Sequence, residues 1–244
     1  MSAEQFLDRA EALVREIRET QLGAIKQAGV AIADSLAAGG VLHYYDRGHC
    51  TGEILHRAGG LFAIHPLQFG IQTGAETPPS RNASDRPDWA ENDEVLDFLL
   101  DHAMVREGDV ALVCSVSGGS PSAVGVALAL RRRGTRVIAI TSPTYSKAIT
   151  SHHSSGKFLY EVADIVIDNC GPVGDAMLTM PGFEIPVVPS SGLAFVTIAW
   201  SVLAHAMRTL TERGIAPTVY KSVNLPDGVA YNAEARKVFE EKGL

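Results

Sequence analysis

This sequence reads as an α/β protein, a three-layer αβα sandwich around a roughly five-stranded parallel sheet. The runs at 110–116, 137–141 and 165–167 are almost wholly apolar, which suits strands buried on both faces rather than strands with one wet side. The stretches between strand runs are long enough for a crossover helix, as parallel neighbours require. Residues 109–141 alone spell out strand, small-residue loop, capped helix and strand, which is a complete βαβ unit.

At the N-terminus, Phe6, Ala10, Leu13, Ile17, Ile25, Ala28, Ile32 and Leu36 recur at helical spacing. They predict one long helix over 3–37, or two end to end, loosened at Gly23 or Gly29. Its apolar face exceeds what one small sheet needs, so part of it is expected to pack on a second subunit. Gly39 and Gly40 end the helix, and 41–45 forms the first strand. The small-residue loop Asp46-Arg47-Gly48-His49-Cys50-Thr51-Gly52 feeds a helix over 53–58, and 61–64 reads as the second strand. Residues 73–92 are polar, rich in Pro, Ser, Asn and Asp, and contain Trp89. Loops this long in compact domains serve as lids or mobile insertions. Asp93 is placed to cap the next helix, whose apolar face carries Val95, Phe98, Leu99 and Val105 before Gly108.

In the central unit, Ser120 is the N-cap and Pro121 sits in the first turn, where a missing N–H does no harm. The helix buries Val124, Ala127 and Leu128, turns Arg131, Arg132 and Arg133 to water, and stops at Gly134. A polar segment over 142–156 holds Lys147, His152, His153, Ser154 and Ser155; a short helix over 158–162 then leads to the strand at 165–167. Residues 174–189, rich in Pro and Gly, are expected to cross the top of the sheet. Ser190 or Ser191 caps a helix reaching Arg213 and ended by Gly214. The tail carries Lys221, Asn224, Asp227, Gly228 and Asn232 before a short charged helix.

The 244 residues suit one α/β domain with a full core. A net charge of −7 argues against a nucleic-acid surface, and the run of arginines at 131–133 reads as a solvated helix face. Three cysteines, far apart and without metal-like spacing, point to reduced thiols in a cytoplasmic protein. The N-terminus has no apolar run of the secretory kind. The apolar stretch at 193–207 is broken by Thr197, Ser201 and His205 and falls short of the ~20 residues a membrane span needs, so it reads as a core or interface helix.

Ligands of open parallel sheets bind beyond the carboxyl ends of the strands, where strand order reverses, so the loops after the first and third strands are expected to meet there. In the second of these, Ser115, Ser117, Gly118, Gly119 and Ser120 combine hydroxyls with the free N–H groups of a helix start, which suits a phosphate. The same residues also suit a tight turn whose serines do no more than cap. No Gly-Lys-Ser/Thr follows and G-x-G-x-x-G is absent, so the phosphate belongs to something other than ATP or NAD, and no cofactor is implied. No metal is expected either: His49 and His56 are seven apart, with no cysteine or carboxylate joining them at ligand spacing.

Ser115-x-Ser117-Gly118-Gly119-Ser120-Pro121, followed by a helix ending in Arg-Gly and a strand ending in Ile140-Thr141, resembles the phosphosugar-binding core of sugar isomerase (SIS) domains. The likeness runs from the N-terminal helix through Asp46-Arg47-Gly48-His49-Cys50 to Lys221-Ser222-Val223-Asn224, as in the single-domain, phosphosugar isomerase-like branch of that family. It implies an SIS-type (flavodoxin-like) fold as one domain over 1–244. Within it, 1–38 is a helical arm, 39–214 the core and 215–244 a tail over the site. It also implies a homodimer or homotetramer that takes a sugar phosphate or amino-sugar phosphate, and neither nucleic acid nor membrane.

The implied activity is aldose–ketose isomerisation, beginning with removal of a proton next to a carbonyl. A phosphosugar lyase or etherase of the same fold begins the same way, and a non-catalytic phosphosugar sensor that binds a protein partner is a further alternative. Gly48, His49 and Cys50 match a second substrate loop, although related isomerases carry serine where Cys50 stands, and a thiol is the poorer donor. Lys221 and Asn224 match the tail motif near the site. Glu53 follows the 48–52 loop and is the expected base, although a first-turn glutamate also simply complements the helix dipole. Some related isomerases place their glutamate farther along, where this chain has Ala58, Gly59 and Gly60. His153, with His152 beside it, is the expected acid or ring-opening partner. His56, about one helical turn after Glu53, is expected to act with it, and Glu184 is a reserve.

Overall fold

A computed structural model describes residues 2–46, 48–69 and 88–244. Helix α1 (Ser2–Ala37) leads into β1 (Leu42–Asp46), the single turn α2 (Thr51–Ile54) and β2 (Ile64–Pro66). After a 3-10 turn at Trp89–Glu91 come α3 (Asp93–His102), β3 (Val110–Cys114), α4 (Pro121–Arg132) and β4 (Arg136–Thr141). Short helices α5 (Pro143–Lys147) and α6 (Leu159–Val162) precede β5 (Ile165–Asp168). A hairpin of β6 (Ala176–Leu178) and β7 (Val187–Pro189) follows, then α7 (Ser191–Glu212) and α8 (Gly228–Lys242). The main sheet has five strands in the order β2-β1-β3-β4-β5, all parallel, so the chain reverses direction across the sheet between β1 and β3.

Alternate strand residues supply two separate cores. Leu42, Tyr44, Leu112, Ile138, Ile140 and Ile167 face α1 and α7, against Ile32, Leu36, Phe195, Ile198 and Val202. Tyr45, Ala111, Val113, Val137 and Ala139 face α3, α4 and α6, against Leu96, Leu100, Val126, Leu130 and Leu159. Helix α7 is long and apolar enough to cross a bilayer by composition, yet Phe195, Ile198, Val202, Leu203 and Leu210 are fully buried in the first core.

Several elements differ from the sequence reading, each for a local reason. Helix α1 runs unbroken through Gly23 and Gly29, about 54 Å at the usual helical rise. Gly29 is no hinge: a Cβ there would lie 2.8 Å from His205 Cβ and 2.9 Å from the Val202 carbonyl, so its absence lets α1 lie close on α7. Helix α2 stops at Ile54, because Leu55 is extended and His56 takes a left-handed φ of 57°. The second strand is 64–66 rather than 61–64, since Leu61 bridges antiparallel to Val219 in the tail. The amides of Gly59 and Phe62 donate to the carbonyls of Tyr220 and Thr218, and that of Tyr220 to Gly60, which consumes the segment ahead of β2.

Helix α3 buries Leu96 and Leu100 and leaves Phe98 60% exposed beside His102; its cap is Asn92, which accepts from the Val95 amide, not Asp93. Residues 174–189 contain the β6–β7 hairpin. Neither Ser190 nor Ser191 caps α7 itself. Asp175 does so, accepting from both amides and both hydroxyls. Most of the polar stretch at 73–92, read as a lid, and Arg47 of the first loop lie outside the described residues. The part that is described, Trp89–Glu91, packs on α4, where Gly125 leaves no room for a Cβ against the Ala90 carbonyl.

Candidate functional site

The 115–120 loop leaves the end of β3 next to the reversal in strand order, and its carbonyls are held from behind. Val116 accepts from the Ser142 amide at 2.8 Å and the Thr141 hydroxyl at 3.1 Å; Ser117 accepts from Ser146 Oγ at 2.7 Å. Gly118 accepts from the Leu159 amide at 2.8 Å, and Gly119 from the His152 amide at 2.9 Å. The glycines are needed for this seating. A Cβ at Gly118, whose φ is 62°, would lie 2.7 Å from Thr141 Oγ1, and one at Gly119 would lie 2.9 Å from the Phe158 ring. With the carbonyls fixed inward, the amides of Ser117, Gly118, Gly119 and Ser120 and the hydroxyls of Ser115 and Ser117 have no partner among the described residues. Ser120 Oγ accepts from the Ala123 amide at 3.2 Å and starts α4. Unpaired donors at the positive end of a three-turn helix form a nest for an anion.

The neighbouring 48–52 loop is arranged the other way. Asp46 ends β1 and turns its carboxylate into the loop, accepting from the amides of His49 (3.0 Å) and Cys50 (2.7 Å) and from Thr51 Oγ1 (2.9 Å). Of the residues expected to hold substrate here, His49 and Cys50 therefore have their amides committed, and Gly48 takes a φ of 96° at the turn. The His49 ring stacks on Phe195 at 4.9 Å, and Cys50 Sγ lies 2.9 Å from Tyr44 Oη.

Among the described residues, no contact joins Glu53, His56 and His153 to one another. Glu53 is about half exposed and pairs with Arg57 at 3.3 Å. His56 is not on a helix face with it, because α2 has already ended; its Nδ1 meets Tyr220 Oη at 2.9 Å. His56 instead lines a cavity of about 700 Å³ with Arg57, Phe62, Lys221, Asn224 and Arg236. Lys221 and Asn224 thus join His56 in this side cavity, and no residue of the 115–120 loop lines it. Lys221 is tied down by Asp227 at 2.6 Å, and Arg236 lies over the Phe62 ring. His153 is buried, with Nδ1 accepting from the Ser155 amide at 3.1 Å, so a neutral ring carries its proton on Nε2. Its neighbour His152 anchors this segment to the 115–120 loop through Gly119. Among the described residues no group of three His, Cys, Asp or Glu side chains is placed to hold a metal.

Two strand-end carboxylates have no role in the sequence reading. Asp46 organises the first loop, and Asp168 ends β5, where burial raises its carboxyl above the usual range and the Cys170 amide donates to it at 2.9 Å. An aspartate directly after a buried apolar run, facing the carboxyl edge of the sheet, is the pattern that would have found both.

A family model described as the SIS domain matches residues 5–142. A UPF0309 protein of Streptomyces coelicolor is 34% identical over 98% of this chain and 96% of its own. Among solved structures, a phosphoheptose isomerase from Neisseria gonorrhoeae superposes with a TM-score of 0.51 at 17% identity, over 84% of this chain and 94% of that one. Another from Francisella tularensis gives 0.52 at 16% identity, over 85% and 97%. At such identities these two structures speak for the fold.

Proposed function

We propose that this chain, which belongs to the SIS-domain family, binds a sugar phosphate or amino-sugar phosphate by its phosphate at the 115–120 loop and isomerises it between aldose and ketose. The observation that carries this reading is the set of amides at Ser117, Gly118, Gly119 and Ser120 that are unpaired among the described residues, on a loop whose carbonyls from Val116 to Gly119 are fixed from behind. Such a loop needs no rearrangement to receive a dianion, and anchoring the phosphate positions the far end of the sugar without touching the reacting carbons. Two structures of this fold being phosphoheptose isomerases supports the substrate class.

Isomerisation moves one proton from one carbon to its neighbour through an enediol, so it needs a base over the carbon and a donor to the oxygens. Glu53 is assigned as the base. Its ion pair with Arg57 is solvent-exposed and therefore cheap to exchange for a ligand contact. His153, held on the segment that rests on the phosphate loop, is assigned as the acid. Helix α1 supports a homodimer or homotetramer, since Leu7 and Val14 on its N-terminal half are exposed. Three free thiols fit a cytoplasmic setting.

The test is solvent-deuterium exchange into a panel of aldose and ketose phosphates, followed by NMR, beside calorimetric binding of the same panel. The expected result is exchange with at least one sugar, lost in Glu53→Gln, and an affinity at least ~10-fold weaker in the Ser117→Ala/Ser120→Ala double variant, as removal of charge-assisted hydrogen bonds implies. Unchanged affinity for every sugar in the double variant would refute the phosphate site. Binding without exchange would favour a sensor, a reading that the exposure of Glu53 supports.

A further inference from the structure

A second concentration of positive charge lies away from the 115–120 loop. His56, Arg57, Lys221 and Arg236 line the side cavity of about 700 Å³, a volume within the range of small-molecule sites. No aspartate or glutamate lines it among the described residues, in a chain whose net charge is −7. Two segments far apart in sequence make it. Helix α2 ends before His56, whose φ is 57°, and the amides of Gly59 and Phe62 then clip this segment to the carbonyls of Tyr220 and Thr218. Arg57 thereby shares one cavity with Lys221 and Arg236.

The cations are held in two different ways. Arg236 has no carboxylate partner among the described residues; its guanidinium lies over the Phe62 ring, 5.6 Å from the centroid, and that ring stacks on Tyr220 at 3.7 Å. A planar guanidinium resting on an aromatic ring keeps its N–H edge for an oxyanion. Arg57 and Lys221 are each tied to one acid, Glu53 at 3.3 Å and Asp227 at 2.6 Å. Both acids are more than half exposed, so these pairs are weak and readily exchanged for a ligand. The amides of His56, Arg57, Ser222 and Val223 add donors that have no partner among the described residues.

We propose that this cavity is a second anion site, for a multiply charged oxyanion such as an organic diphosphate or a tricarboxylate, and that its occupant draws Arg57 away from Glu53. Three cationic side chains on one cavity wall match two or three negative charges better than the single charge of a lone carboxylate. The Phe62 and Tyr220 rings are already engaged by one another and by Arg236, so the site offers charge and hydrogen bonds rather than an open aromatic face. Arg57 can turn its fork to Glu53 or to the ligand, and occupancy therefore leaves the Glu53 carboxylate unpaired. What that release does for proton transfer rests on the proposed role of Glu53; the anion site does not.

Inorganic pyrophosphate and citrate are titrated calorimetrically into the full chain at fixed ionic strength, and the one that binds tells a diphosphate from a tricarboxylate. Affinity is expected to fall ~10-fold in Arg236→Gln, which keeps a stem over Phe62 and removes the charge. It should rise about two- to five-fold in Glu53→Gln, because Arg57 no longer has a carboxylate to leave. No binding of either probe, or equal affinity with and without Arg236→Gln, overturns the site. Equal affinity in Glu53→Gln overturns the exchange of partners at Arg57. The Ser117→Ala/Ser120→Ala variant should bind the probe as the native chain does; a loss there as large as in Arg236→Gln, or displacement of the probe by a sugar phosphate, would merge the cavity with the substrate site and overturn a second one. None of these measurements needs turnover, so a failure of every sugar phosphate to exchange deuterium defeats the base assignment and leaves the anion site standing.

Discussion

The loops after β1 and β3 leave adjacent strands at the same edge of the sheet and are both built from small residues, but they use their amides in opposite ways. After β1, Asp46 collects the amides of His49 and Cys50 and the Thr51 hydroxyl, so the loop is closed on an anion of its own. After β3, the residue at the same register is Cys114, a buried neutral thiol that supplies no such charge, and four amides remain unpaired among the described residues. One strand-end residue thus decides whether a helix-start loop is structural or open to a ligand. Glycine and serine content, which the two loops partly share, does not decide it.

The sharpest way to break this comparison is Asp46→Ala. It removes three charge-assisted hydrogen bonds at once and leaves two loop amides looking for partners. Unfolding in denaturant should show a loss of roughly 3–5 kcal/mol, and Tm should fall by about 6–20 °C for a chain of this size. A loss under about 1 kcal/mol would mean that the carboxylate does not organise the first loop.

A pair of glycine substitutions sharpens the same contrast at smaller cost. Both Gly118 and Gly48 have positive φ, so alanine strains either one. Only at Gly118 does the added Cβ also collide, 2.7 Å from the Thr141 hydroxyl that helps fix the loop. Gly118→Ala should therefore cost roughly 2–4 kcal/mol and Gly48→Ala about 1–2 kcal/mol, measured by equilibrium unfolding. Equal costs would show that the third-strand loop is less rigidly seated than its carbonyl bonds imply.

How far these features were legible in sequence follows from their range. The sheet, the βαβ unit and Ser120 as a cap depend on residues near one another, and the apolar runs and cap pattern reported them faithfully. Helix α2 failed because its end is set by the tail, through Tyr220 and Gly59, some 160 residues away in sequence. The cap of α7 failed for a similar reason: Ser190 and Ser191 looked sufficient, and only the folded hairpin brings Asp175 to them. On α3, the helical period was read correctly but the buried stripe lay one residue over, at Leu96 and Leu100. In the site, the glycines and serines were visible, whereas the carboxylate that fills one loop and not the other was not, because its role depends on side-chain direction. His56, Lys221 and Asn224 were each plausible beside the phosphate, and the structure gathers them in a cavity that no residue of the 115–120 loop lines.

The smallest expected effect comes from a third strand end, which separates the value of a carboxylate from the value of its donors. Asp168 ends β5 as Asp46 ends β1, but among the described residues its carboxylate accepts only the Cys170 amide, and the net effect of burial outweighs that bond and Lys147. Its folded pKa lies above the unfolded value, so between the two the folded state holds more protons and stability falls as pH rises through that window. At neutral pH the charged form is present in both states and the burial penalty is felt in full. Asp168→Asn keeps an acceptor for the Cys170 amide without that charge. The variant should be more stable at pH 7 by less than ~1 kcal/mol, since the site is only partly buried and partly screened. The advantage should vanish once the pH drops below the ordinary carboxylate range, where the native acid is neutral folded or unfolded. A variant less stable at pH 7 would show that strand-end carboxylates stabilise this edge even without the donors that Asp46 enjoys, and the explanation offered for the two loops would have to change.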